Sequence, residues 1–242
     1  MSALAIENLV VNRAGIPVMR GVNLIAKAGE ISVLLGSNGA GKTTLLEGIS
    51  GVIPANGRIA LDGVDLTRSL AGHRARAGLS HVEQGRTVFG EMTTEENLRV
   101  ALHPNASLDQ AYALFPELVQ RRTVLAGMLS GGEQQMLVIA RSLVGLPKVV
   151  LIDEMSAGLA PVVVGRLMSA VRKLADSGVA VVLVEQFAAL ALAIGNRAYV
   201  LRRGQMVFEG GCAELAKDPA RLHHLYLGDA GETGAEETRQ HA

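Results

Sequence analysis

Three short runs of the chain are apolar without alternation: ISVLLG at 31–36, KVVLIDE at 148–154 and VAVVLVE at 179–185. Runs of this length, rich in β-branched residues, are expected of strands covered on both faces of a parallel sheet. Each stops abruptly at polar or glycine positions. The first enters a glycine-rich loop, the second ends in Asp153-Glu154, and the third in Glu185-Gln186.

Around these runs the pattern changes twice. Over the first sixty residues ALAIENLVV, VNLIA and GRIALDG read as strands bounded by Gly, Asn or Asp, predicting an N-terminal antiparallel β subdomain. KTTLLEGIS predicts a helix stopped by Gly51. From about residue 84 to 144 the segments favour helix. TEENLRVAL follows a capping-box-like Thr93…Glu96, LDQAYALFPELVQRR comes next, and positions 136, 137, 139, 140, 143 and 144 line one apolar helix face. A helix over 161–177 and two strands in AYVLRRGQMVFEG complete the pattern. The expected organisation is one domain over 1–228. Its core comprises 1–83 and 145–228, with an α-helical subdomain inserted at about 84–144. The polar tail at 229–242 is expected to be disordered.

With 23 basic and 23 acidic residues the net charge is zero, which gives no support to a nucleic-acid groove. The single cysteine, Cys212, excludes an intramolecular disulfide framework. The six histidines show no metal-binding spacing, and the adjacent His223 and His224 read as part of a surface helix. No signal peptide is expected at the start, and the most apolar stretch, 179–194, is interrupted by Glu185 and Gln186 and is too short to span a bilayer. A mean hydropathy of +0.29 fits buried parallel strands together with an apolar docking surface.

GSNGAGKT at 36–43 fits the G-x-x-x-x-G-K-[ST] pattern with a strand before it and a helix after it. An accidental Gly-rich turn would not need those flanks. The motif makes the fold class α/β, a P-loop NTPase (RecA-like) core carrying the two subdomains. Residues Gly36, Ser37, Asn38, Gly39, Ala40, Gly41, Lys42, Thr43 and Thr44 become the nucleotide-binding candidates. Backbone N–H groups and the helix N-terminus would cradle phosphates, Lys42 would face the β- and γ-phosphates, and the Thr43 hydroxyl would ligate Mg²⁺. Asp153, at the end of a buried strand, is the expected partner of Thr43 on Mg²⁺. Glu154 beside it would orient or deprotonate the attacking water. Two surface acids capping a helix would not call for the apolar run before them.

MLSGGEQQMLVIARSLV at 128–144 places Ser130, Gly131 and Gly132 at the start of an amphipathic helix, where free N–H groups can hold an anion. One chain can seldom use two phosphate-binding elements on one nucleotide, so this one suggests a nucleotide carried by a partner.

LSGGEQQ, GSNGAGKT and VVLIDE together resemble an ABC-type ATPase over residues 4–228. The resemblance implies head-to-tail pairing, with ATP between one subunit's phosphate loop and the other's LSGG. Ser130, Gly131, Gly132 and Glu133 would then face a partner's γ-phosphate. It implies that Gln84 contacts Mg²⁺ at the entry to the helical subdomain, and that SAGLAP at 156–161 crosses between the two sites. EQGRTVF, MTTEENL, DEMSAGLAP and LVEQF narrow the resemblance to the second ATP-binding subunit of branched-chain amino acid importers (LivF-type). Three positions depart from the wider family. Gln186 stands where a γ-phosphate-contacting histidine is usual, and it can hydrogen-bond but cannot titrate near neutrality. Arg13 stands near the usual adenine-stacking aromatic and could offer its guanidinium plane instead or remain a solvated charge. Met155 replaces a proline.

The resemblance implies an ATP-hydrolysing importer subunit, cytoplasmic and peripheral on the inner face of the membrane. It would pair with a second ATP-binding subunit, as a heterodimer or alternatively a homodimer. Permease subunits would dock on its helical subdomain, and an extracytoplasmic solute-binding protein would act through them. Related importers carry urea, amides or organic acids. A soluble ABC ATPase acting on DNA or ribosomes would be expected to show a coiled-coil insertion, a zinc module or a tandem domain, and none is visible. A purely nucleotide-binding regulator would have no use for Glu154 beside Asp153.

Overall fold

The computed structural model describes residues 2–227; the tail expected to be disordered lies outside them. Two sheets form the frame. The first is antiparallel, with strand order β2-β1-β4-β5, built from β1 (Ser2–Arg13), β2 (Ile16–Lys27), β4 (Ala55–Leu61) and β5 (Val64–Asp65). The second has the order β10-β9-β3-β8-β7-β6 and contains β3 (Ile31–Leu35), β6 (Leu79–Val82), β7 (Val149–Asp153), β8 (Ala180–Val184), β9 (Arg197–Arg202) and β10 (Gln205–Gly211). It is parallel except for β10, which returns through a tight Arg203-Gly204 turn with φ of 48° and 77° at its two central residues.

The three apolar runs are β3, β7 and β8, and every residue in each is buried. Their side chains divide by parity between two cores, as the two-residue strand period requires. Val33, Val150, Ile152, Val181 and Leu183 face one; Leu34, Val149, Leu151, Val182 and Val184 face the other. The second core is closed by the antiparallel sheet and by helix α1 (Lys42–Ser50), through Leu9, Val22, Leu45 and Ile49. The first is closed by α5 (Gly131–Leu143) and α6 (Pro161–Asp176), through Leu137, Ile139, Leu167 and Val171. The shorter helices are α2 (Ala71–Arg76), α3 (Thr94–Val100), α4 (Leu108–Leu114), α7 (Ala188–Ile194), α8 (Cys212–Ala216) and α9 (Pro219–Leu227). His223 and His224 lie on α9, which buries none of its residues.

Helix α1 ends where Gly51 takes a left-handed φ of 82° and returns its N–H to the Glu47 carbonyl. The structure adds a cap the sequence did not announce. Arg74 of α2, only 4% exposed, donates to the carbonyls of Gly48 (2.9 Å) and Ile49 (2.7 Å) at the end of α1. It also donates to Ser69 and Thr67. A buried cation on the negative end of a helix satisfies carbonyls that would otherwise be orphaned.

Within 84–144 the capping box at Thr93 and Glu96 is present and opens α3. LDQAYALFPELVQRR does not form one helix. It breaks at Phe115, whose ψ of 80° is not helical, and resumes as a 3-10 segment at Pro116–Arg121. Proline disfavours the α conformation of the residue before it and supplies no N–H to continue the ladder. A second 3-10 turn, Ala126–Met128, leads into α5. Among the described residues no helix is long and apolar enough to cross a membrane.

Candidate nucleotide site

The loop from 36 to 41 carries the chain from the buried end of β3 to the first turn of α1. A Cβ at Gly36 would lie 2.4 Å from the Leu201 carbonyl of β9, so only glycine lets the loop leave the sheet here. Lys42, 5% exposed, folds back to donate to the carbonyls of Gly36 at 2.9 Å and Ser37 at 3.2 Å. Its ammonium is thus fixed beneath the loop before any ligand arrives. Asn38, Gly39, Gly41, Lys42, Thr43 and Thr44 line a cleft of 390 Å³ together with Gln84, Glu154 and Gln186. Ser37 and Ala40 do not line it, and the Ala40 side chain packs into the second core.

Asp153, 1% exposed, closes β7 beside this cleft. Neither of its carboxylate oxygens has a hydrogen-bond partner among the described residues. Burial pushes its carboxyl above the usual range. The Thr43 hydroxyl, facing it outside hydrogen-bonding geometry, and the Lys42 ammonium offset this in part, while Glu154 adds to it. An orphaned carboxylate facing a threonine hydroxyl is a set of hard oxygen donors, which suits a small divalent cation. The residues present therefore fit Mg²⁺.

Glu154 is the most constrained acid of the site. Its φ of 46° lies in the left-handed region, and its N–H donates to the Val184 carbonyl at 3.0 Å. Two amides converge on its Oε2: Gln84 Nε2 at 2.8 Å and Gln186 Nε2 at 3.0 Å. Lys42 Nζ stands 3.9 Å from its other oxygen. Gln84 is therefore engaged by Glu154, and Gln186 reaches the same acid from the end of β8. Met155 fills the first core at 1% exposure.

Gln84 also begins a braced segment. The buried Asn97 of α3 accepts from the Phe89 N–H at 2.9 Å and donates to the carbonyls of Phe89, Met92 and Thr93. Arg141 of α5 donates to the Thr87 carbonyl and lies over the Phe89 ring at 4.7 Å. Between Gln84 and this brace, Gly85 and Arg86 have φ of 97° and 45°.

Arg13 sits away from the cleft lining. It pairs with Glu47 and donates to Thr44 Oγ1 at 3.1 Å, so α1 holds its guanidinium. Val18 of β2 lines the cleft instead, a position the sequence pattern did not single out. Ser130 caps α5 by accepting from the Glu133 N–H at 3.3 Å, while the Glu133 carboxylate accepts from the Ser130 N–H at 2.9 Å and pairs with Arg121. The carboxylate of Glu133 and the hydroxyl of Ser130 thus close a capping box at the start of α5. Gly131 is flanked by the Arg86 guanidinium, 2.6 Å from where a Cβ would stand. That guanidinium also donates to the Ala157 carbonyl at 3.5 Å.

A phosphate loop after β3, a buried acid at the end of the parallel strand β7, one strand removed, and an amide-held glutamate beside it define a P-loop nucleotide hydrolase. The capped LSGG helix α5 narrows the class. The family model described as ABC transporter matches residues 19–157, and the chain belongs to that family. It is 39% identical to the high-affinity branched-chain amino acid transport ATP-binding protein BraG of Pseudomonas aeruginosa, over 88% of this chain and 94% of BraG. It is 37% identical to the probable branched-chain amino acid transport ATP-binding protein LivF of Archaeoglobus fulgidus, over 78% and 84% of the two chains. The lipopolysaccharide export ATP-binding protein LptB of Escherichia coli matches at 32%, over 95% and 98%. Among solved structures, a nucleotide-free ATP-binding cassette of an ABC transporter superposes with a TM-score of 0.83 at 25% identity, covering 95% of this chain and 100% of that one. A cassette in its ADP conformation gives 0.81 at 26%, with 95% and 100% covered. The chain is an ATP-binding, ATP-hydrolysing subunit of an ABC transporter.

Proposed function

We propose that the transporter energised by this subunit imports branched-chain amino acids, and that the chain works on the inner face of the membrane with permease subunits and a second ATP-binding subunit. An extracytoplasmic solute-binding protein would deliver the solute. The chemistry rests on one observation above the others, the Glu154 carboxylate held by Gln84 and Gln186 at the mouth of the phosphate loop. The solute rests on the two branched-chain relatives.

In this reading the phosphates of ATP lie along the N–H groups of residues 37–43, over the Lys42 ammonium. Glu154 orients water toward the γ-phosphate, and its two amide partners keep one oxygen fixed while the other stays available. Asp153 and Thr43 would hold Mg²⁺, which when bound offsets charge on the phosphate oxygens. Gln84 would join that ion after releasing Glu154. Ser130, Gly131 and Gly132 would close over the nucleotide of the partner, so hydrolysis would need two subunits. Gln186 in place of histidine favours an unlike partner that supplies a histidine at its own site. Arg13 would meet the base only on leaving its pairing with Glu47.

The apolar edge formed by Phe89 and Met92 with Leu125 and Met128, all exposed, supports docking of a permease on the inserted subdomain. The test is reconstitution of the full complex in liposomes. ATP-dependent uptake of leucine, absent with Glu154→Gln, is the expected result. Uptake of urea, amides or organic acids without leucine would overturn the choice of solute.

A further inference from the structure

Two tripeptides that meet beside the cleft are laced together by three rungs. The Glu154 N–H donates to the Val184 carbonyl at 3.0 Å, Ser156 Oγ donates to Glu185 Oε2, and Gln186 Nε2 donates to Glu154 Oε2 at 3.0 Å. The first rung is backbone and the last joins two groups lining the open cleft. The middle rung is different, because Ser156 is 2% exposed and Glu185 1%. Water cannot replace it, so losing either partner leaves the other buried and unsatisfied.

Glu185 has no other visible task. It does not line the cleft, and its Oε1 has no hydrogen-bond partner among the described residues. Burial pushes its carboxyl up to about 6, with the Ser156 hydroxyl the largest opposing influence. Keeping an acid in such a place is costly unless its hydrogen bond does something. Meanwhile Glu154 is held at φ 46°, a conformation that persists for a non-glycine residue only where the surroundings over-determine it. The turn that must hold it runs from 154 to 156, and Ser156 is its far anchor.

We infer that Ser156 and Glu185 are positioning residues for hydrolysis, their buried hydrogen bond clamping the turn after β7 against the end of β8 and so fixing the Glu154 carboxylate. The inference deepens the proposed role of Glu154 and rests on it. The same clamp fixes the start of the segment 157–161, so the glutamate and the loop toward the partner share one anchor.

The test is steady-state ATPase activity of the full-length chain assembled with its transporter partners, alongside ATP binding and melting temperature. Ser156→Ala and Glu185→Leu should each lower kcat about tenfold or more while KM changes less than about twofold. Ser156→Thr and Glu185→Gln, which keep a hydroxyl donor and an acceptor oxygen, should recover most of the rate. A wild-type kcat in Ser156→Ala while Glu154→Gln is inactive would overturn the inference alone. Rescue variants as slow as Ser156→Ala would overturn it too, by reducing the pair to packing. Full activity in Glu154→Gln would instead overturn the reading beneath it. Should Ser156→Ala fail to fold, the contrast between Glu185→Gln and Glu185→Leu decides.

Discussion

Gln84 and Gln186, far apart in the chain, donate to the same oxygen of Glu154, at 2.8 and 3.0 Å. One glutamine follows β6 and the other follows β8, so this oxygen joins the ends of two strands. An amide donates without changing charge, so neither glutamine is itself a pH switch. The glutamine at 186 thus serves as a fixed brace on the acid.

Replacing that brace by a titrating one should be visible. In Gln186→His the rate is expected to acquire a pH dependence centred near the usual histidine value of about 6.5, absent from the wild type. Gln186→Ala should lower kcat by about tenfold or more with ATP affinity kept within about twofold. Initial rates across pH 5.5–8.5 provide the measurement, and identical profiles for wild type and Gln186→His would contradict the assignment.

Glu185 carries a stability cost that can be removed. Its carboxyl is raised from 4.5 to about 6, chiefly by burial. An acid whose folded value is raised binds its proton more tightly when folded. Its contribution is therefore fully present below about pH 4.5 and lost as pH rises through about 6. At pH 8 the ionised group should cost on the order of 2 kcal/mol. Glu185→Gln should accordingly be more stable than wild type at pH 8 by that order, with the advantage shrinking toward pH 4.5. Denaturant unfolding at the two pH values checks it.

Arg74 should matter to stability and little to the chemistry. Arg74→Met would strip hydrogen bonds from the Gly48 and Ile49 carbonyls at the end of α1. A loss of about 2–3 kcal/mol is expected, or several degrees of melting temperature. ATP affinity below the melting transition should stay within about threefold of wild type, because the phosphate loop is at the opposite end of the helix.

Gly131 offers a test of whether LSGG serves a partner's nucleotide. Its missing Cβ would stand 2.6 Å from the Arg86 guanidinium, at the N-terminus of α5. Gly131→Ala should leave ATP binding to the isolated chain unchanged and abolish ATP-dependent pairing and hydrolysis. Equilibrium binding and light scattering, both in the Glu154→Gln background, distinguish the two effects. Weakened binding to the isolated chain would mean that LSGG serves its own nucleotide.

Much of this site was legible because its chemistry is local in sequence. GSNGAGKT, VVLIDE and LSGG each keep their donors within a few residues of a strand end or helix start, and periodicity alone marks those elements. The buried β3, β7 and β8 were readable for the same reason. What escaped are side chains whose partners are distant or are backbone carbonyls. Arg74 looks like one more surface arginine until α1 ends against it. Val18 is an ordinary strand valine, and Ser156 and Glu185 meet only because β7 and β8 are neighbours. The capping box between Ser130 and Glu133 is local but was hidden behind the LSGG reading of the same residues. The break at Phe115 could have been read from Pro116.

The brace on residues 87–93 has a mechanical consequence. Asn97 and Arg141 tie this stretch to α3 and α5. Between it and Gln84 lies the Gly85-Arg86 bend, itself tied to the Ala157 carbonyl through Arg86. The exposed Phe89–Met92 edge, the bend and the Glu154 carboxylate therefore lie along one continuous line of covalent and hydrogen-bonded contacts.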